Sequence, residues 1–123
     1  MKRIFYITIA FIIQFNGTFM FSQNFDINSL ELGHGKDRTS SISSGDIDSD
    51  GDIDLIIANG RHWPGQNKIL LNNGLGRFTV EKNLGIDRMT SYAAELGDLN
   101  GDGYVDIAVG NDKAPNNIFI NDG

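Results

Sequence analysis

Asp46, Asp48, Asp50 and Asp54 stand at positions 1, 3, 5 and 9 of the nine-residue loop that begins at Asp46 in Gly45-Asp46-Ile47-Asp48-Ser49-Asp50-Gly51-Asp52-Ile53-Asp54. Gly51, at position 6, permits the sharp turn that aims such side chains at one centre. Two carboxylates about 4 Å apart repel by roughly 4 kcal/mol at an effective dielectric near 20. A hard, oxygen-seeking cation removes that repulsion, and Ca2+ takes oxygen ligands in flexible geometry. The chemistry on offer is cation binding.

The stretch recurs 52 residues later as Gly97-Asp98-Leu99-Asn100-Gly101-Asp102-Gly103-Tyr104-Val105-Asp106. Asp98, Asn100, Asp102 and Asp106 again put oxygens at positions 1, 3, 5 and 9. A single acidic turn could be a solvated hairpin; two copies, each entered by Gly and left by an apolar run, predict two Ca2+ sites. The carbonyls of Asp52 and Tyr104, at position 7, are expected to complete each sphere. An EF-hand loop needs a bidentate Glu at position 12. That position holds Ile57 in one copy and Val109 in the other, and the segments that follow are short and β-branched rather than amphipathic and helical. These loops therefore join two strands.

Strands must then position the carboxylates. Thr39–Ser44 and Ser91–Leu96 enter the two loops with small residues, as a crowded innermost strand requires. Asp54–Ala58 leaves the first loop as a near-continuous apolar run, the pattern of a strand buried on both faces. A loop holding Arg61-His62-Trp63-Pro64-Gly65 follows, then a third strand Lys68–Asn72. Asn73-Gly74 signals a hairpin, and Leu75–Val80 reads as the fourth strand. Val105–Val109, Asn117–Asn121 and Asp122-Gly123 repeat this order, with the offset shortened to 49 residues at Gly123. The first copy thus carries three extra residues where His62 and Trp63 sit. The fold class is all-β: four-stranded antiparallel blades, about two of them, of a larger propeller. Repeats near 50 residues signal propellers or arrays. No counterpart of Leu75–Val80 follows Gly123, so the chain is expected to be the amino-terminal piece of a longer protein or a truncated reading frame.

The expected organisation is a signal peptide over 1–22, a lead-in over 23–37, a first repeat over 38–90 and an incomplete second repeat over 91–123. Lys2-Arg3 precedes the apolar run Ile4–Ile13, and Ser22 supplies a small residue for cleavage. A membrane anchor is the competing reading of this segment; it would need to bury Gln14, Asn16 and Thr18. Secretion or cell-surface exposure is expected, with no membrane association after cleavage. It suits loops of modest Ca2+ affinity, because extracellular sites operate at high Ca2+. One strand is expected near Phe25–Leu32 and a turn at His34. The net charge of −6 argues against a nucleic-acid partner, which calls for a basic patch. With no cysteine, disulfides and thiolate metal sites are excluded.

At residues 45–55 and 97–107, and at the trailing Asn72-Asn73-Gly74…Phe78 and Asn121-Asp122-Gly123, the chain resembles the FG-GAP/VCBS repeat family, the integrin-α-type propeller blade. The resemblance covers about residues 38–123. It implies a Ca2+-stabilised, seven-bladed β-propeller, secreted or on a cell surface. It carries over Asp46, Asp48, Asp50, Asp54, Asp98, Asn100, Asp102 and Asp106 as side-chain ligands, and Asp52 and Tyr104 as carbonyl ligands. The Gly-Ala-Pro that follows the exit strand in the integrin form is replaced by Ala58-Asn59-Gly60 and Gly110-Asn111-Asp112. The bacterial VCBS form is nearer.

Two functional readings follow. In the first, Ca2+ is structural and the propeller is a binding or adhesion module for a glycan or extracellular protein, with further blades in cis or self-association completing it. In the second, the chain belongs to a carbohydrate-active enzyme of lyase or dehydratase type, with Arg61, His62 and Trp63 as candidates. No base–nucleophile pair accompanies those three, so the sequence favours the module.

Overall fold

The computed structural model describes residues 31–33 and 35–123, all within one compact unit, Glu31–Gly123. The expected signal peptide, the turn at His34 and nearly all of the strand expected near Phe25–Leu32 lie outside the described residues. Those residues form seven strands and no helix: β1 Thr39–Gly45, β2 Asp54–Asn59, β3 Lys68–Asn72, β4 Phe78–Asn83, β5 Ser91–Gly97, β6 Asp106–Asn111 and β7 Asn117–Phe119. They build two antiparallel sheets, β1-β2-β3-β4 and β5-β6-β7, with every neighbour next in sequence. No described helix is long and apolar enough to cross a membrane.

The register explains where the acidic loops sit. Gly45 pairs with Asp54 and Gly97 with Asp106, so each loop closes the β1–β2 or β5–β6 hairpin at the same end of its sheet. In β2, Ile56, Ile57, Ala58 and Asn59 are all buried, as the unbroken apolar run predicts. One face of the first sheet gives Ile56, Ala58 and Ile69 to the core. The second sheet answers with Ala94, Leu96, Ile107, Val109 and Phe119, and Ile47 and Leu84, from outside the strands, complete the cluster. The two sheets are thus stacked face to face.

The serine-rich strand β1 has a further reason besides crowding. It runs beside β5, and its hydroxyls bond the β5 backbone. Ser43 Oγ donates to the Ala94 carbonyl (2.7 Å), Ser40 Oγ to the Ser91 carbonyl (2.6 Å), and the Ala94 N–H donates to Ser41 Oγ (3.2 Å). A bulkier residue would lose both the fit and the bonds. On the other face of the first sheet Lys68 is largely buried, and its ammonium sits 2.9 Å from both Asp37 and Glu81.

Two strands differ from expectation. The fourth starts at Phe78, not Leu75. The Asn73 N–H donates to the Arg77 carbonyl (3.1 Å) and the Leu75 N–H to Asn73 Oδ1 (3.1 Å). The Asn73–Arg77 segment is therefore a wide loop rather than a two-residue turn, and pairing resumes at Asn72 with Phe78. The seventh strand ends at Phe119, short of the expected Asn121: in the first sheet the fourth strand pairs with Asn72, and among the described residues no fourth strand lies beside β7.

Candidate metal centre

Each acidic loop folds around its first carboxylate. In the first, Asp46 Oδ1 accepts from the Asp50 N–H (3.1 Å) and Asp46 Oδ2 from the Gly51 N–H (3.1 Å); Asp50 Oδ1 accepts from the Asp52 N–H (2.9 Å). In the second, Asp98 Oδ1 accepts from the Asp102 N–H (3.2 Å), Asp98 Oδ2 from the Gly103 N–H (2.9 Å), and Asp102 Oδ1 from the Tyr104 N–H (2.9 Å). These are the same three bonds at the same three positions. The turn that makes them runs through φ +93° at both Gly51 and Gly103, a conformation that L side chains resist.

The wrapping brings Asp46, Asp48 and Asp50 together. One carboxylate oxygen from each lies within 4.8 Å of the others. Two oxygens that share a Ca2+ at about 2.3–2.6 Å can be no more than about 5 Å apart, so this trio fits one ion in both donor type and spacing. Asp48 and Asp50 are exposed and Asp46 is half-buried. The Asp48 carboxyl titrates above its ordinary value. Lost solvent around it and the charges of Asp50, Asp54 and Asp46 raise it, while the Asp50 amide pulls the other way. Asp48 remains exposed, so the repulsion is the part that a bound cation would reverse.

Asp54 and Asp106, at position 9, are placed differently. Both are fully buried. Asp54 Oδ2 accepts from the Ile47 N–H (2.9 Å) and Oδ1 from the Asn72 N–H (2.9 Å). Asp106 does the same with Leu99 (2.8 Å) and Asn121 (2.8 Å). Each carboxylate thus clamps the start of its acidic loop to the end of the third strand of its sheet. Every carboxylate oxygen keeps a second lone pair, so clamping leaves acceptor capacity toward the loop. The side chains at position 7 also have matching places. A Cβ on Gly74 would meet the Asp52 carboxylate at 2.7 Å, and a Cβ on Gly123 would meet the Tyr104 ring at 2.7 Å.

In the second loop Asn100 Nδ2 donates to Asp102 Oδ2 (2.8 Å) while its Oδ1 accepts from the Asp102 N–H (3.0 Å). The amide supplies internally a hydrogen-bond donor to the neighbouring carboxylate, which Asp48 at the same position of the first loop cannot give. Arg61, His62 and Trp63 sit in the β2–β3 loop, at the opposite end of the strands, and His62 Nδ1 lies 2.9 Å from the Tyr92 hydroxyl.

Sequence reasoning missed a second set of asparagines. Asn59, buried at the end of β2, takes the Thr39 hydroxyl (2.9 Å), gives its N–H to Asn67 Oδ1 (2.8 Å) and its Nδ2 to the Gln66 carbonyl (2.8 Å). Asn111 repeats this with Ser91, Asn116 and Pro115 (2.8, 2.9 and 2.7 Å). The recurrence of Asn59 at Asn111, 52 residues on, is the signal that could have found them.

No curated protein and no solved structure matches the chain. Residues 46–109, just over half of it, match the model of the FG-GAP-like repeat. That span runs from the first carboxylate of one acidic loop to the strand leaving the other, across the stacked sheets of a propeller-type repeat domain, and the chain belongs to the FG-GAP-like repeat family.

Proposed function

We propose that this is a secreted or cell-surface β-propeller repeat protein in which two Ca2+ ions are structural. Asp46, Asp48, Asp50 and Asp54, with the Asp52 carbonyl, hold one; Asp98, Asn100, Asp102 and Asp106, with the Tyr104 carbonyl, hold the other. The ions pin the hairpins, and the protein acts as a binding or adhesion module for a glycan or an extracellular protein. Further blades, in cis or from a second copy, stack on the sheets. Support for that stacking comes from Ile118 in β7 and Ile120 just past it, 64% and 55% exposed. Support for export comes from the basic Lys2-Arg3 followed by the apolar Ile4–Ile13.

The observation that carries the metal reading is the duplicated wrapping of the two loops, with three carboxylate oxygens within 4.8 Å in the first. Calorimetric titration of Ca2+ tests it. The wild type is expected to take two equivalents, and Asp50→Ala and Asp102→Ala one each. Undiminished stoichiometry in either variant would remove the corresponding site.

A further inference from the structure

The end of the strands opposite the acidic loops has the reverse character. Two shallow grooves of about 280 and 260 Å³ meet there at His62. Arg38, Arg61, Arg88 and Lys113 line them, against the single carboxylate of Asp112. Among the described residues none of these four cations forms an ion pair. On a chain of net charge −6, this is a local excess of positive charge, separated from the acidic loops by the length of a strand, about 20 Å.

Trp63, Tyr92 and His62 stand in the same place. Trp63 is 64% exposed, and the Arg38 guanidinium lies 5.5 Å from its ring centroid. Tyr92 meets His62 edge to face, with ring centroids 5.7 Å apart. The loop that carries Trp63 is braced, not loose. The Gly65 and Met89 backbones exchange hydrogen bonds of 2.8 and 2.9 Å, the Arg61 N–H donates to the Ser91 carbonyl (3.0 Å), and the Trp63 N–H to the Gly60 carbonyl (2.8 Å). A Cβ on Gly60 would lie 2.3 Å from the Met89 carbonyl oxygen, so only glycine lets the loop seat this closely. Arg61 and Lys113 occupy the same position in the two repeats, 52 residues apart. Both hold a left-handed backbone, at φ 49° and 55°. Non-glycine residues held this way are strained, and such strain gathers at binding sites. Here it recurs in both repeats, and both times on a cation.

We infer that this end is a binding site for an acidic saccharide, whose sugar ring stacks on Trp63 while its carboxylate or sulfate takes Arg61 and Lys113. The inference rests on the binding-module reading above and gives that reading a ligand class and a place. An exposed indole braced at its base offers a flat, low-entropy platform for the C–H face of a sugar. The cations select an acid, and guanidinium groups are suited to a bidentate hold on a carboxylate or sulfate. The charge separation steers an anion toward this end and away from the acidic loops.

Titration calorimetry on the full chain in saturating Ca2+ tests it, with tetragalacturonate, a heparin tetrasaccharide, cellotetraose and oligothymidylate as probes. One of the two acidic saccharides is expected to bind more than tenfold tighter than cellotetraose, and to weaken as salt rises; which one binds tells carboxylate from sulfate. Trp63→Ala is expected to weaken it at least tenfold, and Arg61→Gln and Lys113→Gln severalfold each. The Ca2+ stoichiometry of these variants is read at the other end of the sheets and reports that they are folded. Equal binding of cellotetraose, tighter binding of oligothymidylate, an affinity indifferent to Trp63, or no saccharide binding would each overturn the inference. Loss of the saccharide with two Ca2+ still bound would leave the metal reading standing; loss of Ca2+ with the saccharide still bound would do the reverse.

Discussion

The two acidic loops share one backbone plan but differ in how much of their stability depends on an outside charge. The first packs five carboxylates, Asp46, Asp48, Asp50, Asp52 and Asp54, into nine residues. Its second residue, Ile47, is 8% exposed and belongs to the core between the sheets, and the Ile47 carbonyl is held by Asn121 Nδ2 of the other repeat (3.0 Å). At position 4 it forces Ser49 to φ 61°, where the second loop has Gly101 at φ 82°. The second loop has three carboxylates, an asparagine that donates a hydrogen bond to its neighbouring carboxylate, and Leu99, 52% exposed, where Ile47 is buried. The first loop is thus crowded, strained and tied into the core. The second is relaxed and held by its own sheet. A site built to be closed by a cation resembles the first; a site that also tolerates its absence resembles the second.

The largest expected effect concerns the clamps. Asp54→Ala leaves without an acceptor the Ile47 N–H in a buried setting and the Asn72 N–H in a partly buried one, and a fully buried loss of this kind costs about 1–3 kcal/mol. In chelator-treated protein, where metal binding plays no part, denaturant unfolding should show Asp54→Ala destabilised by about 2–5 kcal/mol. Asp106→Ala should lose about half as much, because water can reach the Leu99 N–H through an exposed loop. Equal losses, or the larger loss at Asp106, would break the contrast between a core-tied and a free loop.

Much of this was legible in the sequence, and the exceptions have a common cause. The acidic spacing and the unbroken apolar run Ile56–Ala58 act through local geometry, so the hairpins, the strand order and the convergence of Asp46, Asp48 and Asp50 could be read directly. The clamp at Asp54 could not. A carboxylate at position 9 has the same residue type whether it faces a metal or a pair of backbone amides, and Asn72, which supplies one of those amides, is 18 residues away. The start of the fourth strand was misplaced for a similar reason. Asn73-Gly74 is a strong two-residue turn signal, but the Arg77 carbonyl captures the Asn73 N–H and widens the loop. The sequence shows the serines of β1 only as small residues; that they are also donors to β5 depends on a strand about 50 residues downstream.

The contrast extends to the sheets themselves. Lys68 in β3 sits at the register position that Asn117 holds in β7, as their pairings with Ile57 and Val109 show. Hydrogen bonds that the Lys68 ammonium donates to Asp37 and then Glu81 raise it above its ordinary 10.5, against the opposing effect of burial. The folded state therefore holds this proton more tightly than the unfolded chain. Its stabilisation is present in full below about pH 10 and fades as pH rises through the higher folded value. Lys68→Met is expected to cost about 1–3 kcal/mol at neutral pH, between the values for exposed and buried ion pairs. The gap from wild type should narrow above about pH 10.5. A gap independent of pH would mean that the lysine stem, not its charge, does the stabilising. Asn117→Met should show no such alkaline trend.

The smallest effect isolates the charge difference between the loops. Asn100→Asp gives the second loop a carboxylate at position 3, where the first has Asp48, and removes the amide that bonds Asp102 Oδ2. Without metal this adds repulsion and should lower stability slightly. With Ca2+ it adds a charged oxygen ligand and should tighten the second site about tenfold, or about 1.4 kcal/mol. The reverse exchange, Asp48→Asn, should weaken the first site by a similar factor and also stabilise the metal-free protein, since Asp48 is the carboxyl pushed upward by its neighbours. The paired exchanges thus predict opposite signs for stability and affinity in each variant. If Asn100→Asp tightens Ca2+ while leaving the metal-free protein as stable as before, repulsion in the empty loop is being relieved by water and counter-ions. The difference between the two loops would then lie in Ile47 and its anchorage to the core rather than in their charge.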